Sequence, residues 1–217
     1  MTTQAKLHDL VAAKHLLKHP FYRAWTEGAL TIETLRHYAV QYYPHVSAFP
    51  RFVSTIHSLC EDEQSRRSLF MNLSEEEGAR FEESHPELWK NFGVGLGSTR
   101  EQIREGEKGV ESLRLVDTFF RLCRSSYAEG LGALIAYELQ VPEIAEAKIE
   151  GLKRFYGIED AFTLKFFEVH QTADKFHSEA CIELLLTLSP RDQEIALKAV
   201  DEALDGLWDF LTEVHAH

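Results

Sequence analysis

FFEVHQTADKFHSEACIELLL, residues 166–186, repeats apolar side chains at helical spacing and interrupts them with His170, Asp174 and His177. A helix turns about every 3.6 residues, so these three side chains leave one face within two turns. Two imidazoles and a carboxylate converging in this way can hold a transition metal. An exposed polar stripe or a hydrogen-bonded core cluster would share the same spacing. The rest of the chain has to decide between them.

Working outward, helical periodicity continues in both directions and strand signals are nearly absent. Residues 4–18 read as an amphipathic helix that His19-Pro20 ends or kinks. Thr31 caps a long helix running to Cys60, with Pro44 and Pro50 as expected kinks. Residues 62–77 form another helix that stops near Gly78, and a glycine-broken segment follows. Within that segment Ser98 and Glu101 read as a capping box for a short helix, and GVGLG at 93–97 reads as a loop. Residues 109–124, 126–141, 142–156 and 160–187 are helical, and Ser189-Pro190 opens the last helix with cap and N1 proline in their preferred order. No repeat or linker divides the chain, so residues 1–217 are read as a single all-α domain.

Composition narrows the function classes. Hydrophobic residues make up 44% of the 217, enough for a sizeable core. The formal net charge of -12 opposes broad contact with nucleic acid or with an anionic membrane surface. No apolar run has bilayer-spanning length, and the N-terminus lacks a signal-peptide core. The three cysteines, Cys60, Cys123 and Cys181, are far apart and without paired spacing, which suits reduced thiols in a cytoplasm.

Two further stretches can supply metal ligands. NLSEEEGARFEESHPELW, residues 72–89, carries Glu75, Glu76 and Glu77 at a helix end, then Glu82, Glu83 and His85. Acidic residues at a helix C-terminus oppose the macrodipole, a local conflict that a functional site can impose. His85 precedes Pro86, which predicts an extended residue held in a turn. The second stretch, GLGALIAYELQVPEI at 130–144, sets Glu138 in an otherwise apolar helix, where a carboxylate is costly unless paired, protonated or metal-bound. Glu76, His85, Glu138, His170, Asp174 and His177 together form a carboxylate and imidazole set suited to iron or manganese, with no thiolate for structural zinc.

The stretches NLSEEE…HPELW, AYELQVPEIAEAKIEGL and HQTADKFH, with HPFYRAWTEGALT and YYPHVSAFPRFVSTIHSLC near the N-terminus, resemble the haem-oxygenase-like di-iron oxidases over nearly the whole chain. Among these the resemblance is to the subgroup of the chlamydial protein associating with death domains (CADD); PqqC-like and TenA-like proteins share the fold more distantly. The resemblance implies a seven-helix bundle. It implies two metal ions, Fe/Fe or mixed Fe/Mn, held by the six residues above, with Glu75, Glu77 or Glu82 as rivals to Glu76. It also implies O2 and an electron donor as co-substrates, and formation of para-aminobenzoate for folate biosynthesis. In that chemistry the protein's own tyrosine, matching Tyr22, is cleaved out to become the aromatic ring. Lys148 matches the amino donor and Tyr137 a further site tyrosine. Phe166 stands where the chlamydial protein has a tyrosine. A homodimer is expected for a cytoplasmic helical domain of this size.

Two other activities fit parts of the sequence. One is a PqqC-like cofactor-free oxidase of pyrroloquinoline-quinone biosynthesis, which buried carboxylates would disfavour by repelling an anionic precursor. The other is a TenA-like thiaminase with Cys123 in CRSSYAEG as nucleophile, against which stands the ordinary inertness of a buried cysteine. Read without the resemblance, Tyr22, Trp25, Tyr42 and Tyr43 are core aromatics and Lys148 is a solvent-facing helix residue.

Overall fold

The structure, a computed structural model, describes residues 1–79 and 83–217, except for the side chains of residues 172–178. The described residues form eleven α-helices and one 3-10 turn, with no strand among them. The all-α reading holds. The helix count exceeds seven because caps, prolines and glycines divide the chain more finely than the bundle pattern does.

The N-terminal reading of one helix over 4–18 is corrected. α1 spans Thr3–Ala13, a 3-10 turn spans Leu16–Lys18, and α2 spans Pro20–Glu27. The His19 side chain accepts from the Phe21 N–H and Pro20 occupies the first turn, so His19-Pro20 starts a helix and does not only end one. α3, Ile32–Leu59, is capped by Thr31 as its sequence predicts. It remains continuous through Pro44 and Pro50. Thirteen of its side chains are buried, and packing on that scale offsets the backbone bonds that the prolines remove.

α4, Glu63–Glu76, begins at the Asp62 cap. α5, His85–Gly95, begins at Ser84 and continues through Gly93 and Gly95, so both the turn expected at His85 and the loop expected at 93–97 are corrected. The two glycines serve packing: a Cβ on Gly95 would stand 1.9 Å from the Thr163 hydroxyl, and one on Gly93 2.5 Å from Ile103. The short helix α6, Arg100–Glu105, takes its capping box from Thr99 and Gln102, one residue later than the Ser98 and Glu101 pair expected.

α7 spans Val110–Ser125, α8 Tyr127–Glu138, α9 Val141–Tyr156, α10 Ala161–Thr187 and α11 Pro190–His215. α8 is buried nearly all round and packs against α3, α7, α10 and α11. α10 lies across α5, α8 and α9. One continuous core, with Trp25, Tyr38, Trp89, Phe119 and Phe210 among its fully buried side chains, runs through the bundle. Full burial of a large apolar side chain contributes about 1.5–3 kcal/mol. The end of α4, the start of α5, the end of α8 and the middle of α10 meet beside that core. No helix among the described residues is long and apolar enough to cross a membrane.

Candidate metal centre and buried tyrosine–lysine cluster

Glu76 is the last residue of α4 and is 4% exposed. Its Oε2 lies 2.9 Å from His85 Nδ1, so the carboxylate and the first residue of α5 close across the gap between the two helices. The His85 and His170 rings approach to 4.4 Å between centroids. His170 Nδ1 lies 2.6 Å from the Phe166 carbonyl, one helical turn back. Donation to that carbonyl places the proton on Nδ1 and leaves Nε2 as the lone-pair donor, the usual way a metal-binding imidazole is oriented. One ligand atom each from Glu76, His85 and His170 lie within 4.8 Å of one another, and all three residues are buried.

Glu138, at the end of α8, is 2% exposed and accepts a 2.8 Å hydrogen bond from Asn72 Nδ2. Asn72 stands one turn before Glu76 on α4, so Glu138 reaches the same wall of the site. Of the rival glutamates, Glu77 is exposed, Glu75 is half-buried and Glu82 lies outside the described residues. The side chains of Asp174 and His177 also lie outside the described residues. The donor set that the structure does bring together, buried carboxylate and imidazole without thiolate, fits iron or manganese. Phe166 packs 4.2 Å from the His170 ring and 4.8 Å from Trp89, forming an apolar wall where a tyrosine would have set a hydroxyl.

A second cluster adjoins this one. Lys148 on α9 is 5% exposed, so the solvent-facing reading of it is corrected. Its Nζ donates to the Tyr38 hydroxyl at 2.7 Å, and that hydroxyl lies 3.3 Å from the hydroxyl of Tyr22. The ammonium is surrounded by ring faces, among them Tyr38 at 4.9 Å and Tyr22 at 5.3 Å. Burial without a carboxylate partner lowers its pKa to about 7. The same burial raises the Tyr22, Tyr38 and Tyr42 phenols above their ordinary range, so all three stay protonated at neutral pH.

Tyr42 joins the two clusters. Its ring stacks on Tyr38 at 5.6 Å and 14°, and its hydroxyl is hydrogen-bonded to Tyr137 and feels the Glu76 charge. Tyr42 thus has Glu76 and Tyr137 on one side and the Tyr22, Tyr38 and Lys148 cluster on the other, and Tyr38 was missed from the sequence. Tyr38, Tyr42 and His45 repeat on α3 the spacing that His170, Asp174 and His177 show on α10, but an aromatic stripe at that spacing is equally a packing face. All three are buried. Cys123 is fully buried, and burial pushes its thiol up to about 12, which makes it a poor nucleophile.

The site's chemistry and the fold define a class. The family model described as "Iron-containing redox enzyme" matches residues 36–208, and the chain belongs to that haem-oxygenase-like family. More particularly, it is 40% identical to a 4-aminobenzoate synthase of Nitrosomonas europaea, over 99% of this chain and 91% of the relative. It is also 40% identical to the 4-aminobenzoate synthase of Chlamydia pneumoniae, over 98% and 95%. Among solved structures, a TenA homologue from Pseudomonas syringae pv. tomato superposes with a TM-score of 0.85 over 99% of this chain and 92% of that one. At 19% identity that likeness shows the shared fold.

Proposed function

We propose that this enzyme forms para-aminobenzoate (4-aminobenzoate) with O2, using Tyr22 as the source of the ring and Lys148 as the source of nitrogen. The observation that carries the reading is the buried series Lys148 Nζ, Tyr38 hydroxyl, Tyr22 hydroxyl, at 2.7 and 3.3 Å, set beside the Glu76, His85 and His170 cluster. A packing tyrosine needs no buried lysine. A buried lysine with no acidic partner is costly unless its neutral form is useful.

Glu76, His85, Glu138 and His170, with Asp174 and His177, are proposed to hold two metal ions, Fe/Fe or Fe/Mn. When bound, these supply oxygen activation and one-electron redox capacity. The chain's own residues do the rest. The rings of Tyr22, Tyr38, Trp89 and Phe167 exclude bulk water around Lys148 and favour its neutral amine. The Tyr38 hydroxyl accepts from Lys148 Nζ and lies beside the Tyr22 phenol, so the groups that must exchange oxygen for nitrogen are already near one another. The product requires the Tyr22 ring and Cβ. The Cα–Cβ bond breaks and Cβ is oxidised to the carboxylate with O2 as oxidant. The lysine nitrogen replaces the phenol oxygen, which leaves as water, while the Lys148 Cε–N bond breaks and Cε is oxidised by O2 to the carbonyl level. A protein that consumes its own tyrosine turns over about once. Folate synthesis is the destination such a product implies.

Tyr22→Phe tests the assignment. It should abolish para-aminobenzoate formation while leaving iron and manganese content per chain unchanged. Unchanged product would remove Tyr22 from its role. The thiaminase reading has the inert, buried Cys123 against it, and the cofactor-free oxidase reading has the buried Glu76 and Glu138 against it.

A further inference from the structure

Across the last turn of α4 from the metal cluster lies a cleft of about 340 Å³ between α3, α4 and α7. Glu76 points into the cluster, while Glu77, the next residue, lines the cleft. Two arginines face each other there over one ring: the guanidinium carbon of Arg51 lies 4.6 Å from the Phe120 centroid and that of Arg124 lies 4.4 Å away. Both side chains are exposed, and among the described residues neither has a carboxylate within ion-pair distance. What sets the pair apart is that both guanidiniums are held over the same ring in one cleft.

We propose that Arg51 and Arg124 bind the phosphate group of a small reductant, a reduced flavin nucleotide in the first instance. Stacking on Phe120 holds each guanidinium by its face and leaves its N–H edges for an oxyanion, the geometry in which arginine binds phosphate in bidentate fashion. Ser54 adds a hydroxyl to the lining. With a net charge of -12 the chain has little long-range attraction for anions, and two guanidiniums in one cleft supply it locally against the opposing Glu77. The cleft also connects inward. Phe120 contacts Phe52 at 4.7 Å, Phe52 contacts His45 at 5.6 Å, and His45 stacks on Tyr42 at 5.2 Å. This unbroken series of rings ends at the residue that joins the metal cluster to Tyr38. A dihydroflavin docked in the cleft would give up two electrons and two protons: the electrons would reduce metal ions held by Glu76, His85, Glu138 and His170, and the protons would leave to solvent.

The inference rests on the oxygen-dependent reading above, and the test separates the two. FMN and riboflavin carry the same redox ring and differ in the phosphate alone. Fluorescence anisotropy on the metal-loaded protein should show FMN binding about tenfold more tightly than riboflavin, the worth of one charge-assisted hydrogen bond. That advantage should disappear in Arg51→Gln/Arg124→Gln, be weakened in Arg124→Gln alone, shrink with added salt and grow in Glu77→Gln. Reduced FMN should also support product formation at a lower half-saturating concentration than reduced riboflavin. Equal binding of the two flavins, binding of neither, or an advantage that survives the double substitution overturns the proposal. Dithionite-driven product formation in the unaltered protein tests the functional reading by itself, because dithionite needs no phosphate site.

Discussion

In the proposed reaction Lys148 must lose its proton before its nitrogen can attack, and the residue's surroundings set the pH at which this happens. With a pKa lowered to about 7 by burial, the amine becomes the main form as pH rises through neutrality. Single-turnover para-aminobenzoate formation should therefore rise with pH through about 7 and level off above it; a rate that falls across that range contradicts the assignment. The same shift acts on stability. The unfolded lysine keeps its ordinary value of 10.5, so between about 7 and 10.5 the unfolded chain holds a proton that the folded one has released. Stability from this group then rises with pH across that window. Lys148→Met should be more stable than the parent near pH 7, and the gap should narrow as pH approaches 10, measured by denaturant unfolding. Residue identity was legible where chemistry conflicts with context, as for Glu138 in its apolar helix. It was not legible for Tyr38, because a tyrosine on an apolar helix face is consistent with packing alone. What marks it is the Lys148 Nζ arriving from another helix, a contact that no local pattern encodes.

At the scale of elements, most long periodic runs were read correctly and the short α6 was expected with its cap one residue early, while two other short helices were not read. Thr31 and Ser189 cap the helices their sequences announce. α2 and α5 were missed. The first is short and sits behind a proline that reads as a stop, and the second contains two glycines that read as a loop. In both, tertiary packing overrides local propensity. α9 shows how closely element packing bears on the site. Gly151 lets α9 approach α2 so that a Cβ there would stand 2.6 Å from the Trp25 ring, whose Nε1 donates to the Lys148 carbonyl at 3.3 Å. Gly151→Ala should push Trp25 aside and cost about 1–3 kcal/mol of stability, read from thermal unfolding. Its metal content should match the parent's, because Trp25 stands on the lysine side of Tyr42 and not on the Glu76 side.

At the scale of the whole molecule, the bundle brings together groups that are far apart in sequence: Tyr22 from α2, Tyr38 and Tyr42 from α3, Glu76 from α4, His85 from α5, Glu138 from α8, Lys148 from α9 and His170 from α10. The all-α class could be read from periodicity. The convergence could not, because spacing along one helix says nothing about which other helices it meets. His170 shows the limit: its face was predicted from the i, i+4, i+7 spacing, while its partners Glu76 and His85 follow only from how α4, α5 and α10 pack. The central claim is that the enzyme makes its product from itself, and isotopes test it most directly. Protein carrying ring- and Cβ-labelled 13C-tyrosine and 15N-lysine, loaded with metal and exposed to reductant and O2, should release para-aminobenzoate that carries both labels, with mass lost from the peptide containing residue 22. Unlabelled product, or full product yield with an intact Tyr22 peptide, would contradict the account.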